Sequence, residues 1–73
     1  MTVRRWKFAV TTSDAGSGYL LESGDLVHDP EIVEEWTGTD EEASCEVMRR
    51  AIDFEERTGA IVTGIDMESR GKV

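Results

Sequence analysis

The feature of this chain that most constrains its fold is a change in the spacing of its apolar residues. In residues 3–12, Trp6, Phe8 and Val10 alternate with more polar neighbours, which is the period of a strand with one buried face. In residues 43–54, apolar side chains recur at helical spacing. A chain of 73 residues can build only one small core. The pattern therefore predicts an α+β protein with a single domain over residues 1–73.

Turn signals divide the sequence around these two segments. The polar, glycine-containing residues 13–18 predict a loop that leads into a second strand at residues 19–22. After the helical segment, residues 60–67 are typical of a third strand, and residues 68–73 are expected to form a flexible tail. The first two strands then make a hairpin with a wide loop.

Two helices are predicted between the second and third strands. Asp29 and Pro30 are typical of a helix start, and Gly38 is typical of its end, which predicts a short first helix. Thr39 is followed three residues later by an acid, as in a capping box, so a second helix should begin there and end at Gly59. The predicted order is ββααβ, with a three-stranded, mainly antiparallel sheet and both helices on one face.

The charge of the chain is segregated along the sequence. Residues 8–48 contain eleven acids and no Lys or Arg, whereas the remaining residues carry eight bases and five acids, for a net charge of −8. Such an acidic field repels phosphates, so direct binding to nucleic acid is not expected. It attracts a basic partner, although a solvated acidic surface that serves solubility or salt adaptation explains the same composition.

The candidate partner-binding residues lie on and near the first predicted helix. Glu31, Glu34 and Glu35 are spaced to share its outer face. With Asp29 before this helix and Asp14 in the hairpin loop, they could form a row of carboxylates that imitates the phosphates of DNA. Three acids at the start of the second helix could extend the row: Asp40, Glu41 and Glu42.

The sequence offers little for catalysis or metal binding. One Cys and one His are too few for a disulfide or a zinc site. Cys45 lies in the second predicted helix, and nothing local brings it to His28, so a hydrolase built on this pair is a minor alternative. Carboxylate pairs such as Asp25 with Asp29 lack the pattern of a calcium loop. We expect no enzyme, no metal and no cofactor.

No segment of the sequence predicts a membrane span. Apolar runs fall well short of the ~20 residues that a spanning helix needs, and the first residues lack the apolar stretch of a signal peptide. A cytoplasmic protein is therefore expected.

Short stretches of the sequence also point to a family. They are Val10-Thr11-Thr12, Asp14, Gly18, Glu22-Ser23-Gly24, Asp29, Glu34-Glu35, Gly38 and Glu46-Val47-Met48. This set, spread over residues 8–51, resembles the small acidic type I-F anti-CRISPR proteins of the seventh kind, which are phage-encoded inhibitors.

The resemblance implies a ββααβ monomer that acts as a DNA mimic in the cytoplasm of a bacterial host. Such a protein binds the large subunit of a type I CRISPR surveillance complex, where that subunit recognises the protospacer-adjacent motif of target DNA. The important acids of the family match Asp14, Asp29, Glu34 and Glu35. The alternative interpretation is a generic acidic module, an adaptor or an antitoxin-like protein, that neutralises another basic partner.

Overall fold

A computed structural model describes residues 2–72 as an antiparallel sheet packed against a single helix. The elements in chain order are β1 (Arg4–Thr12), β2 (Ser17–Leu20), β3 (Leu26–Val27), a 3-10 turn (Pro30–Ile32), β4 (Trp36–Gly38), α1 (Asp40–Thr58) and β5 (Val62–Lys72). The α+β class is confirmed, but the described residues form one helix rather than two, and five strands rather than three. No helix of this part of the chain combines the length and the apolarity needed to cross a membrane.

Strand β1 is the centre of the sheet. β5 runs antiparallel along one of its edges over nearly its full length. Two short strands share the other edge, because β4 pairs with residues 4–6 and β2 pairs with residues 9–11. β3 adds to the outer side of β2. β1 thus pairs with three other strands, and its inward-facing side chains form one side of the core.

The core lies between the inward face of β1 and one stripe of α1. The side chains of Trp6, Phe8 and Val10 are buried, as the alternation in residues 3–12 predicts. They pack in two adjoining clusters against Ala43 and Val47 at one end and against Leu20, Ala51, Phe54 and Ala60 at the other. The other face of β1 is turned to solvent, which leaves half of the sheet available for polar residues.

The first predicted helix is wrong. Asp29 and Pro30 do begin a helical segment, but it is only the 3-10 turn Pro30–Ile32. The chain then becomes extended through the buried Val33 and enters β4, where Trp36 pairs with Trp6. A helix this short is marginal in water, and β-branched and aromatic residues favour a strand. The first half of β1 has an edge that β2 does not reach, and β4 fills it.

Gly38 closes β4 instead of ending a helix. A Cβ atom at this position would clash with the ring of Trp36, so only glycine lets the indole pack across the strand. The carbonyl of Gly38 accepts a hydrogen bond from Nε1 of Trp6 at 3.0 Å. The two tryptophans therefore fix where β4 meets β1.

The second predicted helix is confirmed as α1. The hydroxyl of Thr39 accepts from the backbone N–H of Glu42, and the carboxylate of Glu42 accepts from the N–H of Thr39, which completes the capping box. Gly59 ends the helix with a φ of 77°, a left-handed conformation that suits glycine.

The hairpin of β1 and β2 is confirmed, but the third predicted strand is too short. β5 continues to Lys72, so the described part of the expected tail, residues 68–72, is paired with β1; Val73 lies outside the described residues. This segment lacks apolar side chains, which is why the pattern predicts a tail. Backbone pairing along β1 is enough to hold it as a strand, with Lys7 opposite Glu68 and Trp6 opposite Ser69.

Candidate interaction surface

Three arginines of α1 hold the loop between β2 and β3. Nη1 of Arg50 donates to the carbonyl of Leu20 at 2.9 Å, and Nη2 of Arg49 donates to the carbonyl of Glu22 at 3.3 Å. Two turns further on, Arg57 donates to the carbonyl of Ser23. We call this contact between the arginine flank of α1 and residues 20–25 the charged seam. In this contact, positively charged side chains of α1 hold an acidic loop in place.

Arg50 is the most deeply buried charged residue among the described side chains. Its side chain is 5% exposed, and its guanidinium lies 4.8 Å from the ring centre of Phe8. Nε of Arg50 donates to a carboxylate oxygen of Glu46 at 2.7 Å. Hydrogen bonds from Arg49, and then from Arg50, lower the pKa of Glu46, because they favour its charged form over the opposing effect of burial. Glu46 is therefore held as a carboxylate that neutralises the buried cation.

Other bases also act within the fold. Nζ of Lys7, on the solvent face of β1, donates to the carbonyl of Pro30 at 2.7 Å and anchors the 3-10 turn. Arg5 and Arg70 approach the carboxylate of Glu35 at 3.8 and 3.9 Å. The acidic and basic segments that are separate in the sequence therefore touch in the structure. Bases from β1, α1 and β5 contact the acidic segments between β2 and β4.

Many carboxylates form no ion pair with the described bases. Among the described side chains, Asp25, Glu35, Glu46, Asp53 and Glu68 are the acids that lie within ion-pairing distance of a base. The acids without such a partner are Asp14, Glu22, Asp29, Glu31, Glu34, Asp40, Glu41, Glu42, Glu55, Glu56 and Asp66. The surface therefore keeps a large excess of negative charge.

The five candidate residues do not share one helix face, because the helix that should carry them is absent. Asp14 is exposed in the β1–β2 loop. Asp29 precedes the 3-10 turn and accepts from the backbone N–H of Glu31 at 3.0 Å. Glu34 and Glu35 lie in the extended segment before β4. The structure thus divides the predicted row among a loop, a turn and an extended segment.

Glu34 and Glu35 are nevertheless brought together around one pocket. It has a volume of about 300 Å³ and is lined by Leu21, Glu22, Ser23, Ile32, Glu34, Glu35, Trp36 and Arg50. We call it the Trp36 pocket. Its wall combines a half-buried indole with three carboxylates and Arg50. Neither Glu22 nor Glu34 lies within ion-pairing distance of a base among the described side chains. An aromatic ring beside carboxylates is an arrangement that suits an incoming arginine or lysine side chain.

Two residues of the Trp36 pocket are missed by sequence reasoning. Glu22 follows β2 and is twelve positions from Glu34, so no helical or strand spacing links them. Trp36 packs on Phe8, with ring centres 5.8 Å apart, and is also partly exposed. Its partial exposure arises because β4 stands at the sheet edge, a position that the sequence pattern does not reveal.

Asp14 belongs to a different depression. This one has a volume of about 550 Å³ and is lined by Asp14, Ala15, Gly24, Asp25, Leu26, His28, Phe54, Arg57, Thr58 and Ala60. Here Asp25 is paired with Nη2 of Arg57 at 3.2 Å. Asp14 is therefore a separate exposed carboxylate and does not line the Trp36 pocket.

The structure does not bring Cys45 and His28 together. Cys45 is exposed on α1 and lines a depression with Glu41, Glu42, Glu46 and Arg49. His28 lines other depressions and donates from Nδ1 to the carbonyl of Ser17, at 2.7 Å. Within residues 2–72, no cluster of three or more His, Cys, Asp or Glu is arranged to hold a metal ion.

The solvent face of the sheet carries one further polar pair. The hydroxyl of Tyr19 donates to the carboxylate of Glu68, at 3.1 and 3.2 Å from its two oxygens. This hydrogen bond raises the pKa of the Tyr19 phenol above its ordinary value. The pair joins β2 to β5 across the outward face of β1.

Comparison with known proteins finds no match for this chain. No family model matches the chain, and no curated protein or solved structure matches it either.

Proposed function

We propose that this protein is a non-enzymatic inhibitor that binds a basic, DNA-binding partner and competes there with the nucleic acid. The observation that carries the proposal is the division of charge. Arg49, Arg50, Arg57 and Lys7 are engaged in contacts within the fold, whereas Glu22 and Glu34 lie beyond ion-pairing distance of every described base. Such a surface attracts cations and repels phosphates.

The Trp36 pocket is the proposed centre of binding. Partner arginines that grip DNA phosphates would find carboxylates of Glu22 and Glu34 as alternative acceptors, with charge-assisted hydrogen bonds to each. The indole of Trp36 offers a face for the same guanidinium. Asp14, Asp29 and Glu31 would extend the negative field toward the rest of the partner's groove. Attraction of this kind speeds association and weakens as salt is added.

The proposed partner is the large subunit of a type I CRISPR surveillance complex, bound where it recognises the protospacer-adjacent motif. This choice rests on the motif residues that resemble the anti-CRISPR family. The fold is α+β but has one helix, so the two-helix arrangement of that family does not support the choice. A monomer that acts in the cytoplasm of a bacterial host belongs to the same proposal.

A pair of matched substitutions tests the site. Glu34→Lys and Glu56→Lys change the net charge equally, and neither removes an ion pair among the described side chains. Because Glu34 lies at the Trp36 pocket and Glu56 on α1 does not, we expect Glu34→Lys to weaken binding to the purified large subunit by about tenfold or more. Glu56→Lys should have a much smaller effect, measured by titration calorimetry.

Equal losses in the two variants would mean that bulk charge, and not this pocket, sets the affinity. If neither variant lost affinity, the acidic surface would have a role in solubility alone. Circular dichroism of both variants at the same temperature shows that each is folded, so that a loss of binding can be assigned to the site.

The second candidate is an acidic module for a basic partner other than a CRISPR complex. The absence of a first helix that presents Glu31, Glu34 and Glu35 on one face favours it, because the Trp36 pocket needs only a cationic side chain and not a groove shaped for duplex DNA. Binding that is unaffected by target DNA would support this candidate.

A further inference from the structure

The long strand β5 has an open edge. It pairs only with β1 among the strands that the structure describes, so its other side has no strand against it. An unpaired edge presents backbone N–H and C=O groups that can accept a further strand. The pairing of β5 with β1 is irregular near both of its ends, between Thr11 and Thr12 and between Arg4 and Trp6. Residues 64–69 form the regular section between these irregularities.

An incompletely covered apolar strip adjoins this edge. Met48 and Ile52 share a flank of α1 with Glu55, whose carboxylate accepts from the backbone N–H of Val62 at the start of β5. Ile65 is directed to the helix side of the sheet, because it pairs with the buried Val10. We call this contact of α1 with β5 the apolar seam. Its large side chains keep between 42% and 51% of their surface exposed: Met48, Ile52 and Ile65.

The opposite side of the same strand is acidic. Asp66 and Glu68 pair with Ala9 and Lys7, and therefore stand on the solvent face of the sheet. Glu68 accepts from Tyr19 and lies 3.6 Å from Arg70, whereas Asp66 has no cation beside it among the described side chains. An added strand would thus meet carboxylates on one face and apolar side chains on the other.

A second copy of the chain does not fit this edge well. When a strand pairs antiparallel with its own copy, opposite residues point to the same face. The two registers that pair most of residues 64–69 are centred on Asp66 or on Met67. The first places Asp66 opposite Asp66 of the other copy, and the second places Asp66 opposite Glu68. Like charges directly opposite each other destabilise a sheet, so charge disfavours self-pairing.

We propose that the edge of β5 at residues 64–69 receives an extended segment of another protein in which basic residues alternate with apolar ones. The basic side chains would lie opposite Asp66 and beside Glu68, and the apolar ones would cover Ile65 and the exposed parts of Met48 and Ile52. Backbone hydrogen bonds would hold the segment, and the alternation would set its register. This surface is distinct from the Trp36 pocket and does not depend on the identity of the partner there.

A charge swap tests the proposal with synthetic peptides as probes. The first peptide alternates lysine with valine, the second alternates glutamate with valine, and the third has the composition of the first with its lysines and valines in separate blocks. We expect the full-length protein to bind only the first peptide, measured by titration calorimetry. Asp66→Lys should weaken this binding about tenfold or more and allow the glutamate peptide to bind. The matched control, Glu56→Lys, should change neither.

Amide hydrogen exchange locates the bound segment. With the lysine–valine peptide, protection should increase at residues 64–69. Absence of binding, equal binding of the block peptide, or equal losses in Asp66→Lys and Glu56→Lys would each overturn the proposal. So would sedimentation of the free protein as a dimer that Asp66→Lys alters, because a second copy would then occupy the edge.

Discussion

The two flanks of α1 are secured in opposite ways. At the charged seam, Arg49, Arg50 and Arg57 donate to backbone carbonyls of the β2–β3 loop, and Glu46 neutralises the deepest of them. At the apolar seam, a hydrogen bond from Val62 to Glu55 accompanies half-exposed apolar side chains. On the first flank, the arginines find their hydrogen-bond partners within the chain. On the second flank, apolar side chains and the edge of β5 are exposed, as is expected where another molecule binds.

The comparison also accounts for the acidic character of the surface. The arginines of the charged seam keep their positive charge, but their hydrogen bonds go to loop carbonyls and to Asp25, Glu46 and Asp53. The charged seam therefore stabilises the loop, while Glu34 and Glu22 lie beyond ion-pairing distance of every described base. Folding and partner binding would then depend on different members of the same set of charges.

The largest effect on stability is expected at Arg50. Arg50→Met keeps a long apolar stem over Phe8 but removes the donor to Leu20 and leaves Glu46 with one arginine fewer. Loss of one partner of a buried ion pair costs about 3 kcal/mol of unfolding free energy. Urea denaturation at neutral pH measures this loss. The control Arg49→Met, at a side chain that is 46% exposed, should cost less than about 1 kcal/mol. Similar losses of unfolding free energy in the two variants would show that Arg50 contributes no more to stability than Arg49 does.

Acid should weaken the charged seam through Glu46. Its pKa is lowered from the ordinary value of 4.5 in the folded protein, so its contribution to stability is present above that value and is lost as the pH falls through the folded pKa. Glu46→Gln should cost about 2 kcal/mol at pH 7, the value of a hydrogen bond to a charged group. Its stability should then fall less than that of the unaltered protein on acidification. Parallel pH profiles in urea denaturation would contradict this role.

A smaller effect is expected at the far end of the same seam. Arg57→Gln removes the contacts to Ser23 and Asp25, both at exposed positions, and should cost about 1 kcal/mol. Faster amide hydrogen exchange at residues 21–25 would show that the loop is released. Asp25→Asn, which removes the exposed ion pair but keeps an oxygen that can accept from the hydroxyl of Ser23, should leave the exchange of this loop nearly unchanged.

The smallest effect is expected at the apolar seam. Ile52→Lys replaces a side chain that is 50% exposed and whose stem can still lie along the surface. The unfolding free energy should change by no more than about 0.5 kcal/mol in urea denaturation. A loss well above 1 kcal/mol would show that this flank is part of the core and would remove the contrast between the two seams.

Sequence reasoning succeeds where a local signal is long or redundant. The alternation at Trp6, Phe8 and Val10 predicts the buried face of β1, and the capping box at Thr39 with the glycine at position 59 predicts both ends of α1. Each of these elements is supported by several residues that agree. The α+β class follows from them, because one amphipathic strand and one amphipathic helix must bury their apolar sides together.

Sequence reasoning fails where pairing decides the local structure. Asp29 and Pro30 give a correct start signal, yet the following residues become β4 because the edge of β1 was open. The all-polar residues 68–72 become strand for the same reason. The site inherits the first of these errors, because the carboxylates placed on one predicted helix face are dispersed. The Trp36 pocket then joins Glu22 to Glu34 through tertiary contacts that no spacing encodes.

The most direct test of the proposed function is an order-of-addition competition. The large subunit of a type I complex is loaded with labelled target duplex, the protein is added in excess, and duplex release is followed by fluorescence anisotropy. The same is done with the protein bound first. If the acidic surface occupies the DNA site, the subunit binds either the duplex or the protein but not both. The anisotropy of the labelled duplex then does not rise when the duplex is added to the protein-bound subunit. A stable ternary complex of subunit, duplex and protein would contradict the proposal.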